Sequence, residues 1–130
     1  MASPHQLFRA LGDRTRLRIV NLLARGSLCV CDIQRILEQP QSSVSRHLAL
    51  LKSAGLIRDR RDGMRIFYGL TGWDSRLARA VLTAVRAHVA AEAGYGSDID
   101  DLLQLRERGE CHEEPKGLGP ARASIPRRTK

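Results

Sequence analysis

The sequence contains few cysteines, three in 130 residues, and it lacks the features of several large classes of protein. Three cysteines are too few, and odd in number, for a disulfide framework. No apolar stretch approaches the roughly 18 residues of a membrane span, and residues 1–5 lack the basic and apolar regions of a signal peptide. We therefore expect a cytoplasmic protein with no membrane partner, whose clustered cysteines are thiols that bind metal, sense oxidants or pack in the core.

The short motifs of common enzymes are also missing. The chain has no Cys-x-x-Cys, Gly-x-Ser-x-Gly, His-Glu-x-x-His or phosphate-binding glycine loop. We therefore predict that the protein is not an enzyme.

The net charge of +8 is unevenly distributed along the chain. Residues 1–95 contain 15 Lys and Arg against 7 Asp and Glu, whereas residues 96–130 contain 7 of each. The first 95 residues thus carry the whole excess. Such an excess is typical of a surface that binds phosphates, although solubility alone also explains it.

Hydrophobic periodicity and capping signals predict two short helices at the start of the chain. The first covers residues 6–11 and ends at Gly12. Asp13 is a good N-cap for the second, whose apolar residues follow the 3.6-residue period up to Gly26. The arginines of this second helix lie off the apolar stripe, which indicates a solvated face with access to DNA backbone.

Two further helices form a predicted helix-turn-helix. If Cys29 lies at the N-cap of the first, Asp32 occupies its third position, where a carboxylate suits a helix N-terminus. Pro40 then begins the second helix, residues 41–53, which has an apolar stripe and a polar face near its start. This pair describes a DNA-reading unit, although any amphipathic helix pair shares part of the pattern.

A basic hairpin follows the second of these helices. Residues 56–61 and 65–70 are strand-like, and Asp62-Gly63 between them is a strong hairpin signal. Its basic residues are Arg58, Arg60, Arg61 and Arg65. A basic hairpin directly after a helix-turn-helix indicates a wing that reaches DNA backbone or the minor groove.

A long helix is predicted over residues 73–93, with apolar residues at intervals of four. We predict that it packs with the first helix against a second subunit, packing within one subunit being the alternative. The predicted fold is mainly α with a small β-hairpin, a dimeric winged helix-turn-helix in residues 1–95. Residues 96–130 form a charged C-terminal extension, partly helical over residues 98–110 and disordered from Pro115 onwards.

Three motifs together resemble the ArsR/SmtB family of metal-responsive winged-helix repressors, and its arsenic-responsive members most. They are Leu28-Cys29-Val30-Cys31-Asp32, then Gln41-Ser42-Ser43-Val44-Ser45-Arg46-His47-Leu48, and the arginine-rich wing. The resemblance covers about residues 6–93. It implies a homodimeric repressor that binds double-stranded operator DNA and leaves it when trivalent arsenic or antimony binds. By the same resemblance, Cys29 and Cys31 match the family's inducer thiols.

Two other signals are compatible with this fold: cadmium or lead, and a change in the oxidation state of the thiols. Cadmium- and lead-responsive members share the Cys-x-Cys motif but add an N-terminal cysteine extension, and here no cysteine precedes Cys29. The zinc-binding pattern that other members carry on the long helix does not occur here, since His88 is followed three residues later by Ala91. A thiol-redox response is the other alternative, with a disulfide from Cys111 to Cys29 or Cys31.

The spacing of the two thiols suggests how they act on DNA binding. Arsenic takes two or three thiolates. Residues i and i+2 on a helix differ by about 200° around its axis, so the sulfurs of Cys29 and Cys31 are expected to point apart. Metalloid binding is then expected to distort the first helical turn and change the spacing of the two recognition helices. Cys111 is either a third thiolate, within a subunit or across the dimer, or a spectator.

The residues predicted to contact DNA fall into two groups. Those expected to face the groove are Gln41, Ser42, Ser43, Ser45 and Arg46, with His47 either on phosphate or packed. Those expected to contact phosphates are Arg60, Arg61 and Arg65.

Overall fold

The computed structural model describes residues 3–73 and 75–115. Within these residues it has six α-helices and three strands. They are α1 (Pro4–Leu11), α2 (Arg14–Leu23), β1 (Leu28–Cys29), α3 (Val30–Leu37), α4 (Gln41–Ser53), β2 (Ile57–Asp62), β3 (Arg65–Leu70), α5 (Arg76–His88) and α6 (Gly96–Glu107), with a short 3-10 turn at Val89–Ala91 after α5. The disorder predicted towards the C-terminus lies, for residues 116–130, outside the described residues.

The capping signals place the first helices as predicted. Asp13 caps α2 by accepting a hydrogen bond from the Arg16 N–H at 3.1 Å. Cys29 is the N-cap of α3 with Asp32 at its third position, and α4 has the predicted bounds. The first helix begins two residues earlier than predicted, because Ser3 and Gln6 form a capping box ahead of Pro4.

The long helix predicted for residues 73–93 is wrong in length. Gly72 adopts a positive φ of 86°, and Ser75 caps α5 by accepting from the Ala78 N–H at 3.2 Å, so the α-helix starts only at Arg76. At its other end α5 passes into the 3-10 turn after His88. The predicted periodicity is correct, but the local signals at both ends shorten the helix.

The sheet contains the predicted hairpin and one strand that the sequence did not indicate. Strands β2 and β3 pair antiparallel from Ile57 to Asp62, so the turn consists of Gly63 and Met64 rather than Asp62 and Gly63. Strand β1 pairs with the other edge of β3, and Cys29 lies opposite Phe67. The wing is therefore joined directly to the start of α3.

Helix α2 lies at the centre of the core and contacts the five other α-helices and β3. Its residues 19–23 are all buried. The predicted C-terminal helix is present as α6 and packs on α2 and α3 through buried Leu102 and Leu105. No helix among the described residues has the length and apolar character that a bilayer crossing requires.

Candidate thiol centre and nucleic-acid interface

The two cysteine sulfurs of the Cys-x-Cys motif lie together at the start of α3. Cys29 is almost fully buried and has extended backbone angles, φ −68° and ψ 143°, because it is the N-cap and not yet part of the helix. Its Sγ accepts a hydrogen bond from the Cys31 N–H at 3.3 Å. The structure joins the two sulfurs as a disulfide, with the Cα atoms 5.3 Å apart.

The expectation that these sulfurs point apart is therefore wrong. It treated both residues as helical, whereas only Cys31 belongs to the first turn of α3. The extended N-cap turns the Cys29 side chain back over that turn, as an N-cap side chain usually does. Bringing the two sulfurs to one ligand consequently requires no unwinding of α3.

A histidine that was not among the predicted site residues completes the cluster. The atoms of Cys29, Cys31 and His112 that could ligate a metal all lie within 4.8 Å of one another, and His112 Nδ1 is 3.4 Å from Cys31 Sγ. The predicted third thiolate, Cys111, lies beside them, half-buried against the core, with its Sγ 3.9 Å from the His112 carbonyl oxygen. Burial and the nearby Asp32 carboxylate raise the pKa of Cys111. The only sequence signal for His112 was its position next to Cys111.

Asp32 holds this histidine in place. Its carboxylate has no solvent exposure and accepts a hydrogen bond from the His112 backbone N–H at 2.8 Å. A second oxygen lies 3.3 Å from His112 Nδ1, and Arg35 Nη1 is 3.8 Å away. A buried carboxylate at a helix N-terminus thus anchors a residue from the other end of the chain.

Residues 110–115, here called the C-terminal segment, are tied down on both sides of His112. Glu110 pairs with Arg35 of α3 at 3.2 Å. Glu114 is nearly buried and pairs with Arg58 at 3.1 Å and with Arg60 at 2.8 Å, both on β2. Burial raises the pKa of Glu114, but hydrogen bonds from Ser27 and Arg58 lower it, with a net decrease. The C-terminal segment therefore connects α3, at whose start the two cysteines lie, to the base of the wing.

The predicted groove residues lie along one side of α4. Four of them are exposed, namely Gln41, Ser42, Ser45 and Arg46. Ser43 is half-buried and donates to Gln39 Oε1 at 3.2 Å. His47 is 20% exposed, with Nδ1 3.2 Å from Arg16 Nη1 and 3.8 Å from Asp13, so it packs against the start of α2.

The predicted wing arginines divide between the hairpin tip and its base. Arg61 and Arg65 are exposed next to the turn. Arg60, by contrast, is 8% exposed and faces Glu114, because alternate residues of a strand point to opposite faces. The tip is therefore the basic surface of the hairpin that solvent reaches.

A short helix pair with an exposed polar face on α4, followed by a hairpin with a basic tip, defines a winged helix-turn-helix DNA-binding protein. Residues 13–59 match the model described as bacterial regulatory protein, arsR family. The chain belongs to the ArsR family. This confirms the family resemblance, the winged helix-turn-helix fold, and a DNA-binding transcriptional regulator rather than an enzyme.

Individual relatives give the extent of the similarity. The arsenic resistance transcriptional regulator ArsR1 of Pseudomonas putida is 38% identical over 114 residues, 87% of this chain and 85% of that protein. The arsenical resistance operon repressor of Escherichia coli is 52% identical over 69 residues, 52% of this chain and 59% of that protein. A cadmium resistance regulator homolog, CadC, of Staphylococcus aureus is 41% identical over 66 residues, 50% of this chain and 54% of that protein.

Solved structures give the same fold. The homodimeric winged helix-turn-helix domain of Mb0332 from Mycobacterium bovis superposes with a TM-score of 0.54 and 32% identity. That superposition covers 68% of this chain and 83% of the other.

Proposed function

We propose that the protein is a homodimeric repressor that binds operator DNA and is released when trivalent arsenic or antimony binds Cys29 and Cys31. One observation carries this proposal: the two sulfurs already lie together at the start of the helix that precedes the recognition helix α4. Trivalent arsenic is a soft, thiophilic centre, for which paired thiolates are the preferred donors. A helix N-terminus also favours the thiolate over the thiol.

The connections of Cys29 explain how binding there reaches the DNA-binding surface. Cys29 lies opposite Phe67 in the pairing of β1 with β3, so a shift at the thiols acts on the wing. It is also the cap of α3, which packs on α4. Weakening operator binding 100-fold requires only about 2.7 kcal/mol of coupling between the two sites. Coupling between two sites of a protein is typically about 1–3 kcal/mol, so a coupling of this size is ordinary.

We propose that the dimer forms through α1 and α5. Phe8 on α1 is 53% exposed and Leu77 on α5 is 38% exposed, and an apolar cleft between these helices is lined in part by Leu7 and Ala78. The Mb0332 domain, which has this fold, is a homodimer. Exposed apolar side chains beside a cleft favour contact with a second copy of the chain.

In this proposal α4 enters the major groove and the wing tip contacts phosphates. The exposed groove residues are Gln41, Ser42, Ser45 and Arg46, with Ser43 and His47 at the margin. Arg61 and Arg65 are available to phosphates, and Arg60 joins them only where Glu114 releases it. Arginine reads guanine and glutamine reads adenine in the major groove, which assigns base contacts to Arg46 and Gln41.

The test is release from a fluorescent operator duplex under a phosphine reductant, with arsenite, antimonite, cadmium, lead and zinc titrated separately. Arsenite or antimonite should release the wild-type protein, and the double variant Cys29→Ser, Cys31→Ser should stay bound. Cys111→Ser is tested beside it: unchanged release by arsenite would make Cys111 a spectator, and a weaker response would make it a third thiolate. Release of the double variant by arsenite would place the inducer site elsewhere, and preferential release by cadmium or lead would change the inducer.

A redox-responsive repressor is the second candidate. The predicted disulfide from Cys111 is wrong, because the structure joins Cys29 to Cys31 and leaves Cys111 as a free thiol. The Cα separation of 5.3 Å lies within the usual range for a disulfide, and Cys29 is outside the helix that would otherwise oppose the bond. Mass spectrometry after peroxide treatment separates the two candidates. Loss of two hydrogens from the peptide containing both residues, together with operator release in the absence of metalloid, would support the redox function.

A further inference from the structure

We propose that His112 is a third donor beside Cys29 and Cys31, and that the reduced cluster binds a divalent cation of the zinc and cadmium type. The inference rests on the proposed function insofar as it uses the same two thiols. It goes further by assigning an imidazole donor from the C-terminal segment, and a class of ligand distinct from arsenic.

The distances in the cluster suit a tetrahedral cation. Bonds of about 2.3 Å to sulfur and about 2.05 Å to nitrogen place those two donors roughly 3.5 Å apart at a tetrahedral centre. Cys31 Sγ and His112 Nδ1 are 3.4 Å apart. On reduction the two sulfurs need to separate only to about 3.8 Å to share that centre. All three donor atoms already lie within 4.8 Å of one another.

Asp32 positions His112 next to the thiols. Its Oδ1 lies 3.3 Å from His112 Nδ1, the same nitrogen that faces Cys31 Sγ, so the carboxylate orients this side of the ring and does not occupy the other ring nitrogen. The 2.8 Å bond from the backbone N–H to Asp32 holds the residue whichever ring nitrogen binds the cation. Two thiolates and a buried carboxylate also supply negative charge that favours a dication.

The imidazole is held in position before any ligand arrives. Glu110 on one side pairs with Arg35, and Glu114 on the other pairs with Arg58 and Arg60. These contacts hold the C-terminal segment next to α3, so little conformational entropy remains to be lost on binding. Three protein donors leave a fourth position for water or another small ligand, as at zinc sites that are not purely structural.

The chemical type of the third donor distinguishes a divalent cation from trivalent arsenic. Imidazole suits zinc and its neighbours but serves trivalent arsenic poorly. His112 is therefore expected to matter for the dication and not for arsenite. The adjacent residue, Cys111, is the comparison for His112. A thiolate as third donor would suit trivalent arsenic as well as the dication, whereas an imidazole suits only the dication.

The experiment uses the full-length reduced protein and cobalt(II) alone as an optical probe. Wild-type protein should show thiolate-to-cobalt charge transfer in the near ultraviolet and the intense visible bands of a tetrahedral centre, both abolished by added zinc. His112→Ala should weaken cobalt binding by at least about tenfold and alter the visible bands. Cys111→Ser should change neither. The arsenite affinity of His112→Ala should equal that of the wild type.

Three results would overturn the assignment of His112: the wild type does not bind cobalt, His112→Ala binds it as well as the wild type does, or Cys111→Ser loses the site. If arsenite fails to bind Cys29 and Cys31 while the cobalt site behaves as described, the proposed function fails and this inference stands. His112→Gln, which keeps a polar side chain of similar length, should show the same cobalt defect with unchanged circular dichroism and so excludes misfolding as its cause.

Discussion

The buried carboxylate of Asp32 accepts a hydrogen bond at 2.8 Å from the backbone N–H of His112, a residue 80 positions further along the chain. This contact fastens the C-terminal segment to the first turn of α3. Because Glu114 of the same segment pairs with two arginines of β2, the thiol centre and the base of the wing share one support. The arrangement leads to predictions for stability and for DNA binding.

Replacing Asp32 by Ala should destabilise the protein by about 1–3 kcal/mol, because the His112 backbone N–H loses its buried acceptor. Urea unfolding followed by circular dichroism measures the change. Glu113→Gln is the control, since Glu113 is exposed in the same segment, and it should remain within about 0.5 kcal/mol of the wild type. Equal midpoints for Asp32→Ala and the wild type would show that the segment is not anchored there.

Replacing Asp98 by Ala should be costly because its carboxylate binds Arg18 through two hydrogen bonds, at 2.8 and 2.9 Å, with only 3% of its side chain exposed. Breaking a buried pair by removing one partner costs roughly 3–5 kcal/mol, and the partial exposure of Arg18 places the value near the lower limit. Thermal and urea unfolding measure it. Asp100→Ala, on the exposed side of the same helix, should cost far less; similar losses would contradict the role of the pair.

The electrostatic part of the Asp13 cap should depend on pH. Burial raises the pKa of Asp13, but the Arg16 N–H hydrogen bond and the charges of Arg16 and His47 lower it more, so the net pKa is below its ordinary value. A carboxyl with a lowered folded-state pKa stabilises the fold above its unfolded pKa of about 3.9. That contribution disappears as the pH falls through the lower, folded-state value.

Two variants of Asp13 separate this charge effect from the hydrogen bond. Asp13→Asn keeps an N-cap acceptor, so its stability deficit at pH 7 should shrink as the pH approaches 2. Asp13→Ala should lose about 1 kcal/mol of capping energy at neutral pH. Urea midpoints measured from pH 2 to pH 7 provide the check. A deficit of Asp13→Asn that stays constant over this range would show that the charge contributes nothing.

Operator binding should depend steeply on salt, and the two tip arginines should contribute to the slope. Each phosphate contact that is removed should reduce the slope of log affinity against log salt by about 1, so Arg61→Ala and Arg65→Ala should each do so. Arg60→Ala should instead lower stability, because Arg60 packs against Glu114. Arg108→Ala, which removes an exposed charge after α6, is the control and should leave the slope unchanged. Fluorescence anisotropy at several salt concentrations distinguishes these cases.

Much of the fold could be predicted because its signals are short-range. The Asp13 and Cys29 caps, the bounds of α4 and the Asp62-Gly63 hairpin signal all concern residues within a few positions of one another. The orientation of the sulfurs could not be predicted from an ideal helix, because an N-cap has extended rather than helical backbone angles. The predicted length of α5 was wrong for a similar local reason. Ser75 caps the helix, so it begins later than the apolar periodicity indicated.

The amino-acid sequence by itself determined the helix-turn-helix, the hairpin and the identity of the thiol pair, since caps, periodicity and turn residues act between near neighbours. Only the tertiary structure decided that β1 joins Cys29 to the wing, that His112 lies on the thiols, and that Glu114 neutralises Arg60. Those contacts join residues far apart in the chain. They depend on how α6 packs against α2 and α3, and no local pattern encodes that packing.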